Sequence, residues 1–124
     1  MAHKEILKYQ KYKSSSSIPE REIPASFDLR NISGVNYAGE VRNQEGCAAS
    51  SSHSFIQVVE NRLRMQHGVT IIPNLSVQQL ISCNYMNEGC EGGWSIFNGF
   101  FAENIGLFAQ DCYPYTGKTG HCTY

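Results

Sequence analysis

Five cysteines, at positions 47, 83, 90, 112 and 122, constrain this chain more than any other feature. None of them falls in a C-x-x-C pair, the spacing typical of a zinc site. The spread fits a disulfide framework better, with distant stretches stapled around a modest core. An odd count leaves one thiol free or paired outside the chain. Disulfides imply an oxidising compartment. The visible N-terminus, Met1-Ala2-His3-Lys4-Glu5-Ile6, has no apolar region that could act as a secretory signal. Three origins fit this: a signal already removed, a fragment, or a chain that stays in the cytoplasm.

The 124 residues suffice for one ordinary domain or one lobe of a larger one. A formal net charge of −1 gives no reason to expect nucleic acid or an anionic membrane as partner. No apolar run approaches the roughly 18 residues that a membrane-spanning helix needs. No cofactor and no bound metal are expected.

Residues 1–22 read as a flexible tail. Lys and Tyr alternate there without a core-facing period, and Ser14 to Ser17 form a low-complexity run before Pro19. A short helix over Glu5 to Tyr12 would have only Ile6, Leu7 and Tyr9 as apolar grip. The domain starts near Ile23-Pro24, with extended chain to residue 42 and turns at Ser33-Gly34 and Ala38-Gly39. From Ser50 to His67 the pattern becomes helical: Phe55, Val59 and Leu63 fall at i, i+4 and i+8, with Ile56 alongside. Glu60 and Arg64 can pair one turn apart, and Gly68 follows as a helix C-terminal glycine would. Ser76 and Gln79 predict a capping box for a second helix running to about Cys83, with Leu75 and Leu80 as its hydrophobic staple. A glycine-bearing loop follows over residues 84–93. A third helix is expected over Trp94 to Glu103, its aromatic ridge of Trp94, Phe97, Phe100 and Phe101 packed in the core. Cys112-Tyr113-Pro114-Tyr115-Thr116-Gly117 must turn.

The stretch from Asn43 to Phe55 carries the chemistry. Gln44 stands six residues ahead of Ser50, with Cys47 between them. Ser50 stands where the long helix begins. The N–H groups and dipole of a helix start favour negative charge. A side-chain amide upstream, joined by the backbone N–H of the helix-start residue, can form an oxyanion hole. Serine is also a favoured helix cap, so by itself Ser50 reads first as an N-cap.

Five ordered stretches change that weighting. They are Ile23 to Asn31, Val41-Arg42-Asn43-Gln44, Leu75 to Cys83, Gly89-Cys90-Glu91-Gly92-Gly93, and Cys112 to Gly117. Together they resemble the papain family of cysteine peptidases from about Ile23 to Tyr124, and within it the dipeptidyl peptidase I (cathepsin C) group. The resemblance implies an α+β fold, of which residues 23–124 supply the helical (left) lobe while part of the β-rich lobe is missing. It implies Gln44 as the oxyanion-hole glutamine, Ser50 at the position of the catalytic cysteine, and Gly92 and Gly93 as backbone lining a cleft for extended peptide. It further implies disulfides Cys47–Cys90 and Cys83–Cys122, with Cys112 unpaired within the chain. A lysosomal or secreted location follows from the same resemblance, with the cytoplasm as the alternative.

The departures from the family matter as much. Ser50 replaces the nucleophile and Ser51 the large aromatic after it. Ala48 and Ala49 stand where Gly-Ser is common, His53 and Ser54 where apolar or small residues are usual, and Leu29 where a tryptophan is usual. The Ala-Ala-Ser segment is locally similar to tubulointerstitial nephritis antigen and its relatives. No histidine or asparagine matching the family's base and its partner occurs before Tyr124. His3, His53, His67 and His121 are not matches. His53 lies one turn beyond Ser50, where a helix histidine is ordinarily solvated or packed rather than a base. The expectation is a catalytically inactive homologue serving as a binding or structural module. A second chain or an assembly partner would cover the missing lobe, and an extended peptide is the candidate occupant of the cleft. The alternatives are a partial or Cys-to-Ser-engineered chain of a lysosomal dipeptidyl peptidase, and a cytosolic scaffold component. Two sequons, Asn31-Ile32-Ser33 and Asn74-Leu75-Ser76, acquire meaning only in a secreted chain.

Overall fold

The computed structural model describes residues 23–70 and 72–123; the tail and short helix expected before residue 23 lie outside the described residues. Helix α1 spans Ser50–His67, α2 spans Val77–Cys83 and α3 spans Ser95–Ile105, and a 3₁₀ turn covers Gly89–Glu91. Among the described residues the only β pairings are two isolated bridges, Ile32 with Val35 and Leu75 with Ala109.

Helix α1 is the centre of the lobe, and both other helices pack on it. Ile56 is fully buried, and Phe55, Val59 and Leu63 pack against the same core. The helix ends at Gly68, whose φ of 98° suits a residue without a side chain and whose N–H reaches Arg64 O at 2.9 Å.

Helix α2 is only seven residues long, too short to persist by its own propensity. Burial holds it: Val77, Leu80 and Ile81 join the core, and Gln78 and Gln79 are buried with them. Both glutamines serve the surrounding loops. Gln78 accepts from Thr116 N at 2.9 Å and donates to Lys118 O at 2.8 Å. Gln79 accepts from Phe108 N at 2.8 Å and donates to Gly106 O at 3.3 Å. The predicted capping box is therefore half present. Ser76 Oγ accepts from Gln79 N at 3.0 Å, but the Ser76 N–H goes to Phe108 O at 2.8 Å instead of the Gln79 side chain. The segment at 106–109 lies close enough to satisfy both groups, and tertiary pairing displaces the local one.

Helix α3 starts one residue later than expected, with Trp94 in the cap position. Its buried stripe runs through Asn98 and Phe101, so of the four aromatic residues of the ridge Phe101 alone enters the core. Phe97 and Phe100 are half-buried, and Trp94 is 68% exposed. The reason is polar. Asn98 Oδ1 accepts from Asn84 Nδ2 at 3.0 Å and from Asn87 Nδ2 at 2.8 Å, and this network turns the Asn98 face inward.

A charged group lies at the heart of the lobe. Glu60 is 0% exposed. Its Oε1 accepts from Arg42 Nη2 at 2.7 Å and from Leu75 N. The expected Glu60–Arg64 pair forms at 3.6 Å, but inside the protein rather than on its surface. Arg64 also donates to Asn74 Oδ1 at 2.9 Å. Gly39 closes over the cluster, where an added Cβ would stand 2.6 Å from Arg64 Nη1. Replacing Glu60 by Gln strands two guanidinium groups in the interior. Glu60→Gln is expected to cost about 3–5 kcal/mol, read as a shift in urea unfolding; a cost below about 1 kcal/mol, the worth of an exposed pair, would contradict this account.

Candidate active site

Helix α1 begins without a side-chain cap. Its N-cap is Ala49, at φ −102° and ψ 25°, which has no hydroxyl to offer. Ser50 is the first helical residue and is exposed, so the capping role suggested by its residue type is not the one it has. A covalent and backbone pin replaces the cap. Cys47 is bonded to Cys90, and Ala48 N donates to Cys90 O at 2.9 Å. The Ala49 carbonyl accepts from Ser52 N at 3.1 Å and His53 N at 2.9 Å, which starts the helix. The N–H groups of Ser50 and Ser51 find no acceptor among the described residues.

Ser50 and Gln44 line one hollow of about 610 Å³, together with Val41, Arg42, Asn43, His53 and Ser54. Gln44 is placed by its backbone: its carbonyl accepts from Tyr115 Oη at 2.6 Å and from Cys47 N at 3.3 Å. Glu45 follows at φ 56°, a left-handed conformation uncommon for a residue with a side chain. The Asn43 side chain accepts its N–H at 2.9 Å and holds the kink.

Gly92 and Gly93 line a second hollow, of about 420 Å³, with Met86, Asn87, Glu88, Glu91, Trp94 and Phe97. Gly92 has φ 117°, and a Cβ on Gly93 would meet the Asn87 side chain at 2.5 Å. Asn87 organises this loop by accepting from Trp94 N at 2.8 Å. The two hollows are tied through the Cys47–Cys90 bridge and through Ser95 Oγ, which donates to Ser51 O at 3.2 Å. The second disulfide joins Cys83 to Cys122, and Cys112 is free and exposed.

His53 lies beneath the first hollow. Its ring meets Tyr115 edge-on, with centroids 5.2 Å apart. Both ring nitrogens are shut off from solvent and have no hydrogen-bond partner among the described residues. Burial pushes its pKa below the ordinary histidine range, and the Arg42 guanidinium pushes it the same way. A base that takes the Ser50 proton must become a cation, and this surrounding resists it. Tyr115 and Arg42 shape the site, yet no periodicity marks either of them. The only hint was their place within the family-like runs Val41 to Gln44 and Cys112 to Gly117.

Residues 23–124 match the family model described as papain family cysteine protease, and the chain belongs to that family. Zingipain-1 of Zingiber officinale is 37% identical over 102 residues, covering 81% of this chain and 43% of its own length. Digestive procathepsin L 3 from Tenebrio molitor larval midgut superposes with a TM-score of 0.76 at 34% identity, over 90% of this chain and 34% of that one. Bromelain of Ananas comosus, solved in complex with the E64 inhibitor, gives a TM-score of 0.63 at 32% identity, over 70% of this chain and 40% of that one. The chain thus spans less than half the length of the curated relatives it matches. It forms the helical lobe of a papain-like fold without the β-rich part.

Two outcomes follow. The depressed pKa of His53 means that the unfolded chain takes up a proton first as pH falls below 6.5. Its contribution to stability is whole above that pH and is lost on acidification until the folded-state pKa is reached. His53→Phe should flatten that part of the stability–pH curve, measured by urea unfolding at stepped pH. Tyr115→Phe removes the donor to Gln44 and should cost about 1 kcal/mol, with faster amide exchange at Glu45 and Cys47; unchanged exchange there would count against the clamp.

Proposed function

We propose that this chain is a papain-family homologue that has lost peptidase chemistry and acts as a binding or structural module. The observation that carries this is Ser50, exposed at the first position of α1, in a hollow whose one histidine is His53. A helix N-terminus stabilises negative charge by about 0.3–1 kcal/mol. That can help to hold a thiolate, but it is far too little to ionise a serine hydroxyl. Serine needs a general base to take its proton, and Arg42 opposes the imidazolium that His53 would become.

The frame around the lost nucleophile favours binding. Gln44 and the free N–H groups at the start of α1 still offer donors to a peptide carbonyl. The Gly92-Gly93 backbone, bare of side chains, leaves room for an extended peptide to pair along it, and exposed Trp94 stands beside it as an apolar wall. Within the family the proposed affinity is to the dipeptidyl peptidase I group. Its support is the run Cys112 to Gly117, whose Tyr115 fastens Gln44. The two disulfides favour a lysosomal or secreted location over a cytoplasmic one.

A second chain, or further sequence of the same protein, would complete the lobe. Val58 and Met65 lie two turns apart on one face of α1, both half exposed, and Val41 is fully exposed before it. Such a surface in water favours association. The isolated chain is therefore expected to self-associate in sedimentation experiments. A monodisperse, cooperatively melting monomer would remove the need for a partner.

Activity is tested with an epoxide-bearing peptide. No covalent capture is expected at Ser50, whereas Ser50→Cys should become labelled, because the helix start and Gln44 remain in place. Capture at the unaltered Ser50 would overturn the inactive reading.

A further inference from the structure

The two sequons are alike in sequence and unlike in the fold. Asn31 is exposed on a tight hairpin, where Ile32 and Val35 exchange backbone hydrogen bonds at 2.9 and 3.0 Å. Ser33 and Gly34 form its two-residue tip, at φ 52° and 84°. Asn31 Oδ1 accepts from Gly34 N at 3.1 Å, which fixes the side chain by its oxygen and leaves Nδ2 unengaged among the described residues. The Ser33 hydroxyl is exposed at the same tip. All three parts of an acceptor, the amide nitrogen, the turn and the hydroxyl, stay open to solvent in the folded chain.

The other sequon is closed. The Asn74 carbonyl is taken by Gln110 N at 2.7 Å, and its side-chain oxygen by buried Arg64 at 2.9 Å. Ser76 is 1% exposed. Its hydroxyl donates to Tyr113 O at 2.6 Å while accepting from Gln79 N. An oligosaccharide on Asn74 would have to leave from beside the Glu60 cluster and would obstruct the pairing of residues 74–76 with 108–110.

We infer that Asn31 is an N-glycan acceptor and that Asn74 is not occupied in the folded chain. The inference rests on the reading of the two disulfides as marks of the secretory pathway. In the transfer, Asn31 Nδ2 forms a bond to the anomeric carbon of an oligosaccharide carried on a lipid pyrophosphate. The sugar–phosphate bond breaks, the lipid pyrophosphate leaves, and the amide gives up one proton.

The test expresses the full chain behind a cleavable leader in a eukaryotic secretory host and reads the whole-cell and secreted material together. A shift equivalent to one glycan is expected, removed by peptide N-glycosidase, with the enzyme's acid mark at position 31. Asn31→Gln and, independently, Ser33→Ala should each abolish the shift, while Asn74→Gln should leave it whole. An unshifted parent chain, or a shift that disappears with Asn74→Gln, overturns the assignment. Thiol counting on the same material separates the two ideas. Four protected cysteines without a glycan defeat only the Asn31 assignment. Five reactive thiols defeat the disulfide reading beneath it.

Discussion

A carboxylate withdrawn from water organises this lobe. Glu60 on α1 receives Arg42 from the segment ahead of the helix, Arg64 from the next turn and Leu75 N from the entry to α2. Three stretches distant in sequence meet at one side chain. Burying a charge is unfavourable unless partners surround it. The same demand makes the arrangement specific, because any packing that misplaces one arm leaves a charge uncompensated. Gly39 shows how tightly the cluster is closed, since there is no room for even a methyl group above Arg64. The segment that carries Arg42 also carries Gln44. The core ion cluster and the candidate site therefore share a support.

The helices were legible because their signals are local. Ser50–His67 announced itself by period and by Gly68, and Ser76 announced α2. What escaped were choices made between distant residues. Gln79 reads as the partner of Ser76 until residues 106–108 arrive and take both groups. The aromatic ridge of α3 reads as core until Asn98 claims the inward face through Asn84 and Asn87. Glu60 and Arg64 read only as a pair one turn apart, since nothing in a helical period distinguishes an ion pair in water from one under a loop. At the site, motif spacing singles out Gln44 and Ser50, and both line one hollow. Gly92 and Gly93 line another hollow beyond the disulfide. Tyr115 was hidden because a hydroxyl reaching back to Gln44 leaves no trace in spacing.

In the proposed inactive homologue, two properties that an enzyme combines are separated: the N–H groups at the start of α1 and Gln44 remain to meet a carbonyl oxygen, while Ser50 is a hydroxyl with no base among the described residues to activate it. Binding complementarity would outlast the chemistry because it belongs to backbone and scaffold, whereas nucleophilicity depends on a single sulfur atom. His53 fits this division: its ring packs edge-on against Tyr115, and burial holds its pKa below the ordinary histidine range.

The paired glutamines of α2 have a consequence in time as well as in space. Gln78 finds Ser82 Oγ within its own helix at 3.0 Å, but the other partners of the two buried amides lie at Gly106, Phe108, Thr116 and Lys118, so neither amide is fully satisfied until residues 106–118 have been made. A ribosome that has released only α1 and α2 has therefore exposed a short helix that α1 can cover on one side while its buried amides still lack most of their partners. Domains generally fold as units during synthesis. Here α2 is fully partnered only once residues 106–118 emerge, and the interval before that is when the nascent helix is most in need of a chaperone.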